Sequence, residues 1–260
     1  MIQYNISFAG AGRVAGALCR ELFKSGIKII QVISESETDG RPLADACNAS
    51  WSSSLSFDDQ NNVIIVAVPD HSLKNVLASI RCPEGCVVVH TAGSYGLEMF
   101  PSKFKRTGVF YPLQTFSKGR DINFKELPFL LEASGEVSGK VMNDLAAVIG
   151  GKVQFVDSER RKMVHLAAVF VNNFTNYMLT AGNEIASLAG LSLEIFEPLI
   201  NETISKALDI GPEESQTGPA VRNDLNTIQK HLKLLSFSPE LQSTYSQMTE
   251  SIIKHYNKRL

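Results

Sequence analysis

The order of apolar and polar positions divides the 260-residue chain into two unlike parts. Up to Asp157, short apolar runs alternate with segments whose apolar residues recur at helical spacing. The runs are YNISFAG, IKIIQVIS, NVIIVAVP, CVVVHTAG, TGVFYP, LPFLLEAS and KVQFVD. NVIIVAVP is continuously apolar and rich in β-branched residues, as a strand buried on both faces should be. Between the runs, GRVAGALCRELFKSG, RPLADACNA, SLKNVLASI and VSGKVMNDLAAVIG read as helices. The first of these ends at Gly26, a normal C-terminal stop. Alternation with short links predicts an α/β domain built on a doubly wound parallel sheet with right-handed crossovers. From Ser158 the strand signal vanishes. Helical segments are expected over residues 158–189, 193–209, 224–235 and 239–257, so the chain is divided into an α/β domain (1–157) and an all-helical domain (158–260). There is no internal repeat.

The stretch FAGAGRVAGAL, residues 8–18, places Gly10, Gly12 and Ala15 between a strand and a helix, the context a dinucleotide fingerprint needs. Gly10 permits the sharp turn, Gly12 lets the backbone approach a pyrophosphate, and Ala15 keeps the helix close to the sheet. Arg13 and Val14 open that helix, whose free N–H groups and partial positive charge would face phosphates. The alternative is an ordinary tight turn. In such sites the end of the second strand selects the cofactor, and NAD sites usually carry Asp or Glu there. Here the strand ends Ile33-Ser34-Glu35-Ser36, with Ser34 in the acid's slot. Ser34 and Ser36 can hydrogen-bond a 2′-phosphate, and Arg13 or Arg41 can supply charge. NADP is therefore expected over NAD, although Glu35 argues the other way.

Composition narrows the function classes. Hydrophobic residues make up 44% and charged residues 20%, enough to bury a core. A formal net charge of −2 gives no basic excess to drive binding to nucleic acid. No run approaches the roughly 18 apolar residues of a membrane span, and the first strand runs straight into Gly10 rather than resembling a cleaved signal, so a cytoplasmic protein is expected. Of the four cysteines, Cys19, Cys47, Cys82 and Cys86, the last two lie close together in RCPEGC. No second pair completes a tetrahedral set, so reduced thiols and no metal are expected.

Further polar groups fall where ligands bind in such sheets, at the carboxyl ends of strands. Asp70 in VPDHS reads as a helix cap. His90, Thr91 and Ser94 in HTAGS are either turn residues or substrate contacts. On the long helical segment, 100° spacing aligns His165, Val169, Asn172 and Asn173. That stripe reads as a satisfied core histidine or as the wall of an interdomain cleft, with His165 protonating a product and Asn173 fixing the substrate. In SQTGPAVRND, Gly218 and Pro219 break the helix, Asp224 can cap the next one, and Arg222 can clamp a carboxylate or pin the loop.

FAGAGRVAGAL, VAVPDHSL, VVVHTAGSYG, YPLQTF and QTGPAVRND, in that order, resemble a family of NADP-dependent oxidoreductases of unassigned function. That family joins a Rossmann domain to a C-terminal helical domain, in a layout similar to pyrroline-5-carboxylate reductases and β-hydroxyacid dehydrogenases. The resemblance covers nearly the whole chain. It implies that Val68 and Pro69 lie under the nicotinamide side of the cofactor. The family usually has His where this chain has Tyr111, and often Gly where it has Asn223, a residue that tolerates left-handed backbone.

The expected activity is hydride transfer between a nicotinamide cofactor and a small carbonyl, imine or hydroxy substrate in the interdomain cleft. His165 is the acid/base candidate, and Ser94 and Tyr111 are its rivals. A non-catalytic NADP(H)-binding sensor is the alternative; a hydrolase is disfavoured because no GxSxG motif occurs. Residues 166–179 are apolar on more than one face, which predicts a homodimer through the helical domain. The resemblance implies the same.

Overall fold

The structure is a computed structural model that describes residues 4–257. The first part of the chain forms β1 (Asn5–Ala9), α1 (Arg13–Lys24), β2 (Lys28–Ile33), α2 (Glu37–Ala46), β3 (Ser50–Ser52), β4 (Val63–Val66), α3 (Asp70–Ser79) and β5 (Val87–His90). It continues through β6 (Arg106–Pro112), β7 (Pro128–Ala133), α4 (Glu136–Val148) and β8 (Lys152–Phe155). The strands make one eight-stranded sheet in the order β3-β2-β1-β4-β5-β6-β7-β8. The first six positions follow the order of dinucleotide-binding doubly wound sheets.

Period-2 alternation assigns each strand's residues to two cores. Ile6, Phe8, Val63, Ile65, Val87 and Val89 pack on one face with Ala15, Leu18 and Leu22 of α1 and Met142 and Leu145 of α4. Ala9, Ile64, Val66 and Val88 pack on the other with Leu73 and Leu77 of α3. Both faces are covered, which is why these strands read as unbroken apolar runs.

The sheet departs from an all-parallel reading at one place. Strands β6 and β7 pair antiparallel, with Tyr111 opposite Leu130, while β7 and β8 are parallel. The link between β6 and β7 contains no helix, so nothing carries the chain back for a parallel crossover. Strand β3 was not anticipated, because Ser-Trp-Ser has no apolar run to mark it. Helix α2 starts earlier than the apolar pattern suggested: Ser36 is its cap and accepts from the Asp39 N–H. Asp70 is not a cap. Pro69 holds that position and Asp70 is the first residue of α3.

Beyond Asp157 the chain is helical: α5 (Ser158–Ala168), a π turn (Val169–Phe174), α6 (Thr175–Ser187), α7 (Glu197–Ile210), the short α8 (Pro212–Ser215), α9 (Leu225–Leu234) and α10 (Pro239–Asn257). The single long helix expected over 158–189 is thus interrupted by a wider turn. Asp224 caps α9 through the Thr227 N–H at 3.0 Å and the Thr227 hydroxyl at 2.7 Å. Asn223 adopts φ +52°, the left-handed backbone its sequence position called for. By contact density the chain divides into two compact units, residues 1–173 and 174–260. Helix α5 groups with the sheet because its Arg161 is buried against β7. Among the described residues, no helix is long and apolar enough to cross a membrane.

Candidate functional site

A cavity of about 720 Å³ opens at the carboxyl ends of β1, β2 and β4, within the range of small-molecule sites. The glycine loop forms its floor. Gly10 has φ +110°, donates its N–H to Ile33 O at 2.7 Å, and would place a Cβ 2.2 Å from Ala67 O. The fold itself therefore requires glycine at position 10. Gly12 differs: a Cβ there would meet nothing within 4 Å, and no side chain caps the N-terminus of α1. Packing of the chain itself therefore does not require glycine at position 12, and the uncapped N–H groups of the first turn lie beside the same space.

Of the residues singled out from the sequence, Gly10, Gly12, Arg13, Ser34, Ser36, Val68 and Pro69 line the cavity. Ala15 is fully buried beneath it, and Val14 packs half-buried against the core. Thr91 does not line it; its N–H extends the sheet to Val66 O at 3.1 Å. The serines are already engaged. Ser34 Oγ donates to Ser36 O and accepts from Trp51 Nε1, and Ser36 Oγ caps α2. Arg41 is diverted: it pairs with Glu37 at 2.7 Å, stacks over Trp51, and does not line the cavity. The lining instead carries Arg13, Arg20, Lys118 and Arg120 against Glu35 and Asp39, a positive balance.

A second group of polar side chains sits at the end of β6. Tyr111 and His165, rivals in the sequence, are partners: the phenol oxygen lies 2.9 Å from His165 Nδ1, with the rings edge to face. Gly93 makes room for both, since a Cβ there would lie 2.8 Å from His165 Nδ1 and 2.9 Å from the Tyr111 ring. Burial, with the nearby Asp70 charge, raises the Tyr111 pKa against an opposing effect of Arg161, so the group is a phenol at neutral pH. Ser94 follows Gly93 and is half-buried. Asn172 and Asn173 are exposed in the π turn, whose wider spacing breaks the stripe drawn from His165 at 100° per residue. Arg222 is exposed in the turn before α9 and belongs to the second unit.

The dyad rests on a buried ion pair that sequence reasoning missed. Arg161 is fully buried; its guanidinium donates to Glu132 Oε2 at 2.6 Å and to Tyr95 O at 2.6 Å. The Ser158 hydroxyl also donates to the Glu132 carboxylate. The available signal was a lone Glu inside the apolar run LPFLLEAS and an Arg one turn before His165. His90 proves structural rather than a substrate contact. It is buried, accepts the Ala92 N–H at Nδ1, and donates from Nε2 to Gly96 O, so it fixes the loop that carries Gly93. Burial pushes its pKa down to about 4, and the ring is neutral. All four cysteines are free thiols, with Cys19 Sγ 3.5 Å from Cys47 Sγ. Among the described residues, no group of three His, Cys, Asp or Glu side chains could hold a metal.

Comparison with known proteins agrees with this layout. Residues 5–93 match the family described as "NADP oxidoreductase coenzyme F420-dependent", and residues 127–252 match a domain of unknown function, DUF2520. No curated protein matches the chain. Among solved structures, a Bacteroides fragilis protein described as a "putative NADP oxidoreductase" is 36% identical, with 97% of this chain and 98% of that one covered at a TM-score of 0.89. A reductive aminase from Aspergillus terreus, solved with NADPH and ethyl-5-oxohexanoate, shares the fold at 14% identity, with 98% and 95% covered and a TM-score of 0.73. An imine reductase from a Pseudomonas species does so at 16% identity, with 98% and 93% covered and a TM-score of 0.70. With a glycine-loop cavity on a doubly wound sheet and 36% identity over almost its whole length, the chain belongs to the NADP oxidoreductase family that includes the Bacteroides fragilis protein.

Proposed function

We propose that the protein is an NADPH-dependent reductase of a small carbonyl or imine compound, with the Tyr111–His165 pair as its proton source. The observation that carries this reading is that the glycine-loop cavity and the hydrogen-bonded pair at 2.9 Å belong to one compact unit built on the same sheet. The cavity fits a dinucleotide on three grounds: its volume, the open space at Gly12, and the excess of cations around it. When bound, NADPH supplies a hydride to the substrate carbon. Gly10, Gly12 and the start of α1 would hold the pyrophosphate, and Val68 and Pro69 would wall the nicotinamide end.

The chain's own chemistry is the proton. Tyr111 remains a phenol at neutral pH, so its hydroxyl can give a proton to the oxygen or nitrogen that gains charge as the carbon is reduced. His165 Nδ1 lies 2.9 Å from the phenol oxygen, so with a proton on Nδ1 the ring can donate to that oxygen and replace the proton passed to substrate. Ser94 and Asn173 are the candidate substrate contacts in the same unit. The fold relatives are described as a reductive aminase in complex with NADPH and ethyl-5-oxohexanoate and as an imine reductase, which favours that substrate class here.

Turnover of a panel of keto acids, ketones, imines and hydroxy acids with NADPH and NADH, followed by nicotinamide absorbance, tests the reading. Tyr111→Phe and His165→Ala are expected to lower kcat by about 10²–10⁴ while leaving NADPH affinity within a few fold. NADPH binding without turnover on any substrate would mark a nucleotide-binding sensor instead.

The second unit is proposed to assemble as a homodimer. Helix α7 buries none of its residues, and α6 only Ala186. The apolar side chains of these helices find cover against a second copy.

A further inference from the structure

We infer that the segment Ser117–Arg120 is the element that selects NADPH over NADH, with Lys118 and Arg120 taking the 2′-phosphate in place of the Asp39 carboxylate. The inference rests on reading the cavity as a dinucleotide site. The segment lies in the link between β6 and β7, far along the chain from the glycine loop, yet its four consecutive residues line the same cavity as the ends of β1 and β2. Lys118 Nζ is 3.1 Å from Asp39 Oδ1 in the first turn of α2. That contact brings the segment to the end of β2, the place where dinucleotide sites read the adenosine ribose.

Charge at that edge must come from somewhere other than the second strand. Ser34 has spent its hydroxyl proton on Ser36 O, and Ser36 caps α2. Arg41 is held by Glu37 and Trp51 outside the cavity. Glu35 and Asp39, both in the lining, would repel a phosphate. A cation is needed to make the edge acceptable to a dianion. Arg13 and Arg20 line the cavity from α1, whereas Lys118 is the cation whose contact with Asp39 places it at this edge, with Arg120 two residues on in the same lining segment. The Lys118–Asp39 pair is exposed, with 86% and 47% of the two side chains accessible, so it is weak and easily exchanged. A phosphate that accepts from both Lys118 and Arg120 offers shorter, charge-assisted hydrogen bonds and a second counter-charge.

Equilibrium titration of the full chain decides this, using NADPH, NADH, adenosine 2′,5′-bisphosphate and AMP as probes. The double variant Lys118→Ala, Arg120→Ala is expected to lose about tenfold to hundredfold in affinity for NADPH and the bisphosphate. NADH and AMP should stay within about twofold, since neither carries the 2′-phosphate. Lys118→Arg should retain most of the affinity, and Asp39→Asn should tighten NADPH a few fold by removing the competitor. Raising salt should weaken NADPH far more than NADH. Equal losses for NADPH and NADH would overturn the inference, because the segment would then shape the whole pocket. Unchanged NADPH affinity would overturn it too, placing the phosphate elsewhere. If the unaltered protein binds neither nucleotide, the dinucleotide reading itself fails, and this inference with it.

Discussion

Two glycines of one loop do different work, and substitution separates them. Gly10 has positive φ and backbone against its missing Cβ, so Gly10→Ala should destabilise the fold by more than about 1 kcal/mol. Gly12 has open space around it, so Gly12→Val should fold with a near-normal urea midpoint and lose dinucleotide binding. Calorimetric titration with NADPH checks this; unchanged affinity in Gly12→Val would reduce the loop to a turn. His90 gives a pH signature. Its folded pKa, about 4, lies below the ordinary 6.5, so the unfolded chain takes up the proton first as pH falls. The stability it contributes is complete above pH 6.5 and is lost as pH falls toward 4, by about 3 kcal/mol in all. Urea midpoints for wild type and His90→Gln should therefore converge as pH drops from 6.5 to 4.5; parallel curves would refute the assignment. The motif VVVHTAG puts a histidine at a strand's carboxyl end, where ligands bind, but spacing along the chain does not show that Ala92 and Gly96 fold back to occupy both ring nitrogens.

Elements were legible where a residue at their end carries the signal. Asp224 before α9 and Pro239 at the start of α10 mark those helices, and the runs around Val63–Val66 and Val87–His90 mark the central strands. Three features were not legible. β3 is too short to show a pattern, strand direction is not written in a strand's own residues, and VFVNNF keeps a helical pattern while adopting a π turn. The candidate site was legible in its parts. Gly10, Gly12, Tyr111 and His165 stood out as residue types, but their pairing depends on how α5 is fixed to the sheet. That attachment runs through Arg161, which is fully buried between Glu132 and Tyr95 O. Arg161→Met should destabilise the protein by about 3–5 kcal/mol, because the Glu132 carboxylate, only 18% exposed, loses its counter-ion. Replacing both partners by apolar residues should cost less than the single change, and amide exchange in α5 should speed up in the single variant. A loss below about 1 kcal/mol would show that α5 is held by something else.

At the scale of the whole molecule, the two units have unequal cores. The sheet unit buries both faces of its strands, whereas the second unit buries Ala186, Ala220, Ile228, Leu235, Leu241 and Thr249 among its described residues. Helix α7 is the sharpest case: Leu199 is 62% exposed and Leu208 82% exposed, and the helix buries no residue at all. Helix propensity alone does not hold so short a segment in water; packing of an apolar face does. A groove of about 310 Å³ runs between α6 and α7, lined by Met178, Leu179, Leu193, Phe196 and Ile200, and is itself apolar. A second copy presenting the same helices would cover this surface in a closed twofold arrangement, the commonest way for a soluble chain to hide it. The interface should be more apolar than the remaining surface. Light scattering at micromolar concentration should therefore give a particle of about twice the 28.5 kDa chain mass. Leu199→Asp and Leu208→Asp should shift it to the monomer and lower the thermal midpoint, since the lost partner was stabilising the fold by mass action. A 28.5 kDa particle from the unaltered protein would refute the dimer, and so would aspartate variants that remain dimeric.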